Sequence, residues 1–527
     1  MKRLIAFLLA LVCCASVLAA CGQTNTQIDE TGAAYVTPDL GGKRLELYVP
    51  KTTEFDLEGS YIDTTVEKYL NMDLAYIETD SVSATVKEMN KQGRNPDLIW
   101  INGYTHKGWG IFGEDKYDAF INIYDILDEM PNLKAFLNDP ANAELVEKFT
   151  YAEGKIYAVP TVKTGTAEIY AYLYRQDIFE EHNLTFPTNQ EEFVAVLRKL
   201  KELYPDSQPF MMRSMKKNIQ AAQHYGHLWG ASHLSQSSSG VAFTLDAEGN
   251  YYLAPVSQAY KEIAMFWKEL MDEGLMNKSS VKADTDGWYS AFRENISFIT
   301  YDKVDRLPLM NKNGQMDNPQ FQVVAGAPFN MGAYAEKSDV VATSFEGELT
   351  NCAFMIGYGE NMGEAIAYVD WLYSPEGQKM TSWGKAGESY EEAEDGTKFF
   401  KEGFIEPKGG WTTSCLGASG VYGVYDFEAY KAACEPYLAE SITLAEQFAG
   451  KSPKQPLLSF TEEEDLMYIT YAPGMYNYAC GEWYKFVCGD RDFAQWDQVL
   501  EKVKYAYGYD ILMEIHQNAY ERLQKGE

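Results

Sequence analysis

The sequence predicts an α/β protein of two lobes joined by paired crossovers, and three observations lead there. The chain has 527 residues, too many for one ordinary core, so two large lobes or about three domains are expected. Its first hundred or so residues alternate strand and helix, the rhythm of an α/β lobe with a largely parallel sheet. Two later stretches, Glu153–Phe193 and Phe345–Tyr358, place apolar strand-like runs around short polar connections suited to passing between lobes.

In chain order, Leu45, Leu47 and Val49 alternate as a strand. A helix over Tyr61–Leu70, a strand near Leu74–Ile77, a short helix over Ser81–Asn90 and a buried strand Asp97–Ile101 follow. In open sheets ligands lie beyond strand C-termini, and Trp100, Asn102 and Tyr104 stand at such an end. Gly154-Lys155-Ile156-Tyr157-Ala158-Val159-Pro160 and Ile169-Tyr170-Ala171-Tyr172-Leu173-Tyr174 are strand-like runs, linked by the small, polar Thr161–Glu168. Behind Pro187, Thr188 and Glu191 have capping-box spacing. The helix they open sets Phe193, Val196, Leu197, Leu200 and Leu203 on one face. Phe243 and Tyr251 flank a hairpin turn at Asp246–Gly249. Val256–Glu273 is a long amphipathic helix stopped by Gly274. Strands are expected at 296–301 and 321–324, then helices over Asn361–Tyr373 and Asp492–Val503 and a last helix containing Ala519-Tyr520-Glu521-Arg522.

Charge and cysteine narrow the function. The formal net charge is −32, and the 46% apolar and 23% charged content is that of a globular chain. Nucleic acid is excluded as a partner, because phosphate binding needs clustered Lys and Arg. Lys2-Arg3, the apolar Leu4–Val17 and Leu18-Ala19-Ala20-Cys21 have the form of a lipoprotein signal, residues 1–20 being removed and Cys21 acylated. Residues 21–42 then form the lipid-bearing Cys and a flexible tether. A lipid anchor holds the chain at a membrane surface without spanning it. Of the remaining cysteines, Cys352, Cys415, Cys434, Cys480 and Cys488 show no disulfide framework. Buried thiols or a bridge near the C-terminus, such as Cys480 to Cys488, both fit.

Aromatic residues make up 14% of the chain. Trp267, Trp371, Trp483 and Trp496 lie on apolar helix faces and belong to cores. Trp109, Trp229, Trp288, Trp383 and Trp411 sit in polar or Gly-rich surroundings near element ends. A sugar ring presents a flat C–H face that an aromatic plane buries, and its hydroxyl edge needs polar partners. The candidate ligand-binding set is Asn102, Tyr104, Tyr170, Trp229, Trp288, Tyr289, Tyr301, Asp302, Trp383, Glu388 and Trp411. No cofactor or metal is expected. His224, His227 and His233 lack a completing ligand for zinc. Gly108-x-Gly110-x-x-Gly113 is displaced from the strand end that a dinucleotide fingerprint requires and holds bulky Trp109. The acidic runs Glu391–Asp395 and Glu462–Asp465 read as solvated surface.

Three stretches resemble the large sugar-binding solute receptors of bacterial ABC importers. They are Gly154–Pro160 with Tyr174-Arg175-Gln176-Asp177-Ile178-Phe179; Tyr373-Ser374-Pro375-Glu376-Gly377-Gln378 with Trp383-Gly384 and Gly387–Tyr390; and Ala519–Arg522 near the end. The resemblance implies a two-lobe, type II periplasmic-binding-protein-like fold with hinge crossovers and a helical C-terminal extension. Lobe 1 would comprise 43–163 plus about 346–390, and lobe 2 would comprise 164–345 plus about 391–527. It implies a non-enzymatic, lipid-anchored, monomeric receptor on the outer face of the cell membrane. Such a receptor closes on a carbohydrate and delivers it to ABC permease subunits. A peptide receptor or sensor of the same fold is the nearer alternative. A polysaccharide hydrolase is the further one, since no paired catalytic acids stand out.

Overall fold

The computed structural model describes residues 26–28, 34–51, 58–101, 106–113, 117–151, 154–164, 166–213, 220–231, 243–245, 250–276, 280, 284–336, 344–346, 352–401, 422–448, 458 and 460–525. It divides into two compact units, 1–165 with 347–433, and 166–346 with 434–527. The chain passes between the units at 165–166, 346–347 and 433–434. The last falls at Cys434 rather than near 391. The segment Val424–Ala433 stays with the first unit because Val424–Tyr425 pairs in parallel with Val162–Lys163 and the Trp383 indole donates to Asp426.

In the first unit the sheet order is Met72–Thr79, Lys43–Pro50, Leu98–Ile101, Ala353–Ile356, Val159–Pro160. The first three strands are parallel, and Ala353–Ile356 runs antiparallel to both its neighbours. The pleat sends successive side chains to opposite faces, and here both faces are covered. Leu45, Leu47, Val49, Leu98, Phe354 and Ile356 enter one core cluster. Tyr48, Ile99, Ile101, Ala353 and Met355 enter another. Double burial explains why Leu98–Ile101 and Ala353–Ile356 are apolar without alternation. The helices Tyr61–Leu70 and Val82–Lys91 begin at Ser60 and Ser81, whose side chains accept from the third residue on, caps worth about 1 kcal/mol each. Ser374 caps Pro375–Trp383 in the same way.

The sheet of the second unit, unlike that of the first, is antiparallel about one central strand. Thr166–Arg175 is its central strand, and Ile299–Lys303, Val323–Gly326 and Ser344–Glu346 all pair with it antiparallel. The helix Gln190–Leu203 buries Phe193, Leu197 and Leu200, each worth roughly 2–3 kcal/mol of transfer free energy. Its cap is Asn189, one residue past the expected Thr188, and Thr188 instead donates to Glu192. Ser257 caps Gln258–Asp272, which buries Tyr260, Ile263, Phe266, Trp267 and Leu270. The hairpin strands Phe243–Leu245 and Tyr251–Leu253 pair as expected; their turn lies outside the described residues.

A helix of 27 residues, Glu462–Cys488, spans what reads in the sequence as an acidic surface run followed by Tyr-rich chain. Thr461 and Glu464 form its capping box, and Glu464 accepts from Arg522 Nη1 at 2.9 Å. The Trp483 indole donates to the Tyr260 carbonyl at 2.8 Å. Tyr509–Lys525 closes the unit. Its His516 is ringed by Phe243, Tyr251, Phe460 and Tyr468, with centroids 4.6 to 5.6 Å away. Cys480 and Cys488 share the long helix, so no bridge joins them: eight residues of α-helix separate their Cα atoms by about 12 Å, twice what a disulfide spans.

Candidate functional site

The central strand of the second unit carries Tyr170, Tyr172 and Tyr174 at alternate positions, so all three share one face. Its neighbour sets Tyr301 opposite Tyr172 and Lys303 opposite Tyr170. On this face Tyr170 stacks on His224, centroids 3.8 Å apart and planes 13° apart. Tyr301 lies 6.3 Å from Tyr170 and 5.3 Å from Tyr172. Lys303 Nζ stands 5.9 Å from the Tyr170 ring centre, within cation–π range.

Intervening residues face the other way. Residues 210–213 run beside Ile299–Lys303, with Phe210 bridging Ile299 in the parallel sense and Met211 N–H donating to the Ile299 carbonyl. That register brings Arg213 level with Asp302. Arg213 Nε donates to Oδ2 at 2.7 Å and Nη2 to Oδ1 at 3.0 Å. The Lys303 N–H also donates to Oδ1, at 2.8 Å. Both carboxylate oxygens of Asp302 are therefore engaged, and the side chain is nearly buried. Burial works against the Arg213 charge, but Asp302 outweighs it and lifts the guanidinium above its ordinary pKa.

Trp288 and Tyr289, on the helix Thr285–Arg293, complete this second face. Trp288 is fully buried; its indole donates to Thr300 Oγ1 at 3.3 Å, and the Arg213 guanidinium lies 5.8 Å from its ring centre. Burial raises the Tyr289 phenol, while the charges of Arg306 and Arg213 pull it back. The structure thus brings Tyr170, Tyr301, Asp302, Trp288 and Tyr289 to one end of one sheet, sorted by the pleat onto its two faces.

The other expected residues sit elsewhere. Trp229 ends the turn Gly226–Trp229, buried against Phe266 at 5.4 Å. A Cβ on Gly332 would stand 2.4 Å from its ring, so Trp229 is wedged beneath that loop. Trp383, in the first unit, donates to Asp426 Oδ2 at 2.7 Å and stacks on Phe400 at 4.9 Å. Glu388 is exposed and accepts from Lys385 and Tyr61. Trp229, Trp288 and Trp383 are each 5% exposed or less, so these rings serve packing rather than presenting an open face. Asn102, Tyr104, Trp411, Cys21, Cys415 and His233 lie outside the described residues.

The Gly108-x-Gly110-x-x-Gly113 motif resolves into packing. Gly110 and Gly113 admit the rings of Tyr151 and Tyr157, each 2.2 Å from where a Cβ would be. No group of three or more His, Cys, Asp or Glu among the described residues could hold a metal ion. Sequence reasoning missed Arg213, Arg306 and the stacking role of His224. Arg213 gains its place only through the register of 210–213 beside Ile299, which no local pattern announces.

No helix among the described residues is long and apolar enough to cross a membrane. A curated polygalacturonan/rhamnogalacturonan-binding protein of Bacillus subtilis (strain 168) is 20% identical over 469 residues, covering 85% of this chain and 86% of that one. Among solved structures, an alginate-binding protein without calcium ion matches with TM-score 0.61 and 19% identity, covering 95% of this chain and all of that one. An HMO-binding, ABC-transporter-associated solute-binding protein from Bifidobacterium longum infantis ATCC 15697 matches with TM-score 0.65 and 14% identity, over 91% and 99% of the two chains. These likenesses establish the two-lobe α/β fold. A family model described as bacterial extracellular solute-binding protein matches residues 71–379, more than half of the chain. The chain therefore belongs to the bacterial extracellular solute-binding proteins, receptors that act outside the cytoplasm by binding rather than by catalysis.

Proposed function

We propose that this chain is the monomeric, lipid-anchored receptor of an ABC importer, with an oligosaccharide as its solute. Family membership carries the receptor reading. The sugar reading is supported by relatives named for polygalacturonan, alginate and HMO binding. It is supported too by the grouping of Tyr170, Tyr301 and Tyr289 around the Arg213–Asp302 pair. Polar groups fixed by their neighbours, set among aromatic planes, suit the hydroxyl edges and C–H faces of a sugar. Acylated Cys21 would hold the receptor near its permease.

No bond is made or broken in this reading. The solute stabilises the conformation it binds best, and the permease recognises that conformation. The test is thermal unfolding of residues 22–527 against oligosaccharides, monosaccharides and short peptides. A ligand at 100 times its Kd adds about 2.7 kcal/mol to stability. A shift with an oligosaccharide recovered intact supports the proposal. A shift with peptides alone, or a shortened sugar, overturns it.

A further inference from the structure

The long helix Glu462–Cys488 carries no Asp, Glu, Lys or Arg from 466 to 481, in a chain that is 23% charged. Its inward side, with Ala472, Met475, Ala479 and Trp483, belongs to the core of the second unit. Its outward side is Leu466, Ile469, Thr470, Pro473, Asn477 and Gly481, all exposed and spaced as one face of a helix. Leu466 is 67% exposed and Ile469 70%. A helix face turned to water ordinarily bears charges. Two residues of this stripe also weaken the helix with no return from its interior. Pro473 deprives the Ile469 carbonyl of its helical N–H. A Cβ on Gly481 would meet nothing within 4 Å, so no neighbour in this chain demands a glycine there.

The chemistry of the stripe selects its occupant. None of its six residues is aromatic, so it is no platform for a sugar ring. Docking on lipid pairs apolar residues with Lys and Arg, whereas the helix start beside this stripe holds Glu463 and Asp465. The stripe runs about 22 Å along a helix roughly 11 Å wide, an area of about 250 Å². A stable dimer buries about 800 Å² per partner, so a lasting pair of copies is not built on it. A small uncharged contact suits a partner that is met and then released. The permease of an importer is such a partner, and its short loops outside the cytoplasm are poor in Lys and Arg. Those loops offer little charge to attract a chain of net charge −32, and an uncharged stripe is a surface they cover without stranding a charge.

We infer that the outward stripe at 466–481 is a docking surface for an uncharged, apolar segment of the permease exposed outside the cytoplasm. Leu466 and Ile469 supply the apolar contact, and Asn477 and Gly481 let the partner's backbone come close. This rests on the reading above that the chain serves an ABC importer.

The test is photo-cross-linking of the full chain in membranes of the bacterium that makes it. Thr470 and Asn477 are replaced, one at a time, by the photoreactive p-benzoylphenylalanine, and so is Met316, a 77% exposed residue elsewhere in the same unit. Mass spectrometry identifies what each position joins. The expected result is a cross-link from 470 and 477 to a membrane-spanning permease subunit, at ten-fold or greater yield than from 316. Ile469→Asp and Gly481→Leu, both at exposed positions, should each lower that yield ten-fold or more with an unchanged circular dichroism spectrum and unfolding midpoint. Cross-links from 470 and 477 to a second copy, to lipid or to nothing, or yields equal to that from 316, overturn the inference. An amine-reactive cross-linker on the unaltered chain separates the two readings. If it joins the chain to the permease while 470 and 477 do not, the docking assignment fails alone. If no cross-linker joins them, the importer reading fails with it.

Discussion

Arg213 and Asp302, 89 residues apart in sequence, meet through two parallel hydrogen bonds of 2.7 and 3.0 Å. The geometry is a fork-to-carboxylate pair, and the Asp302 side chain is only 6% exposed. Removing one partner of such a pair leaves an uncompensated charge at the sheet end. Arg213→Met is therefore expected to cost about 3–5 kcal/mol in urea unfolding. Arg213→Met with Asp302→Leu should recover most of that loss. A single-variant cost below about 1 kcal/mol would mean that water, not Arg213, compensates the carboxylate.

His516 gives the second unit a dependence on pH. Its ring sits among four aromatic rings and its Nδ1 lies 2.7 Å from the Leu512 carbonyl. Burial lowers its pKa from 6.5 to about 4. The unfolded chain thus binds the proton more readily, so this contribution to stability is intact above pH 6.5 and is lost as pH falls toward 4. The full loss corresponds to about 3 kcal/mol. Unfolding midpoints compared at pH 7.5 and pH 4 should fall less in His516→Leu than in the parent chain. Equal falls would show that the imidazole stays solvated.

Cys480 is buried, and burial pushes its thiol up to about 12. A thiol held protonated is a poor nucleophile. In native protein at pH 7.5, maleimide should modify Cys480 at least a hundred-fold more slowly than in urea. Mass spectrometry under non-reducing conditions should find no Cys480–Cys488 bridge. Rapid native labelling of Cys480 would mean that the long helix opens readily at its middle.

Gly332 has φ of +56°, and a Cβ there would collide with Trp229 and approach Glu262. Gly332→Ala is expected to destabilise by roughly 1–3 kcal/mol, from strain in the left-handed region together with displacement of the indole. Differential scanning calorimetry measures it directly. A neutral result would show that Trp229 has room to move aside.

The first unit was largely legible in the sequence. Alternation at Leu45, Leu47 and Val49 and the apolar Leu98–Ile101 are local signals, and the strands lie where these place them. Ser374-Pro375 opened a helix as read. The second unit was less legible because its decisive features are non-local. A strand's own residues do not say whether its neighbour runs parallel, so the antiparallel partners of Thr166–Arg175 emerged only in three dimensions. Pro473, Gly474 and Gly481 interrupt the pattern of Glu462–Cys488, and the capping role of Glu464 was hidden within an acidic run. Trp288 sits near polar residues in sequence yet is sealed by Thr300 and Arg213, so local polarity misled about its exposure.

The last helices of the second unit carry a consequence for how the protein is made. Its core draws on Met475, Trp483, Phe486, Trp496 and Leu512 as well as Tyr260 and Trp267. The first unit has all its parts once residue 433 has emerged. The second must wait for the final helix, with Trp267 uncovered until Trp483 arrives to meet it at 5.5 Å. Synthesis therefore imposes an order of maturation: one half assembles early, while the other stays open until the end of translation. A chaperone that shields nascent aromatic surface would act on that second half.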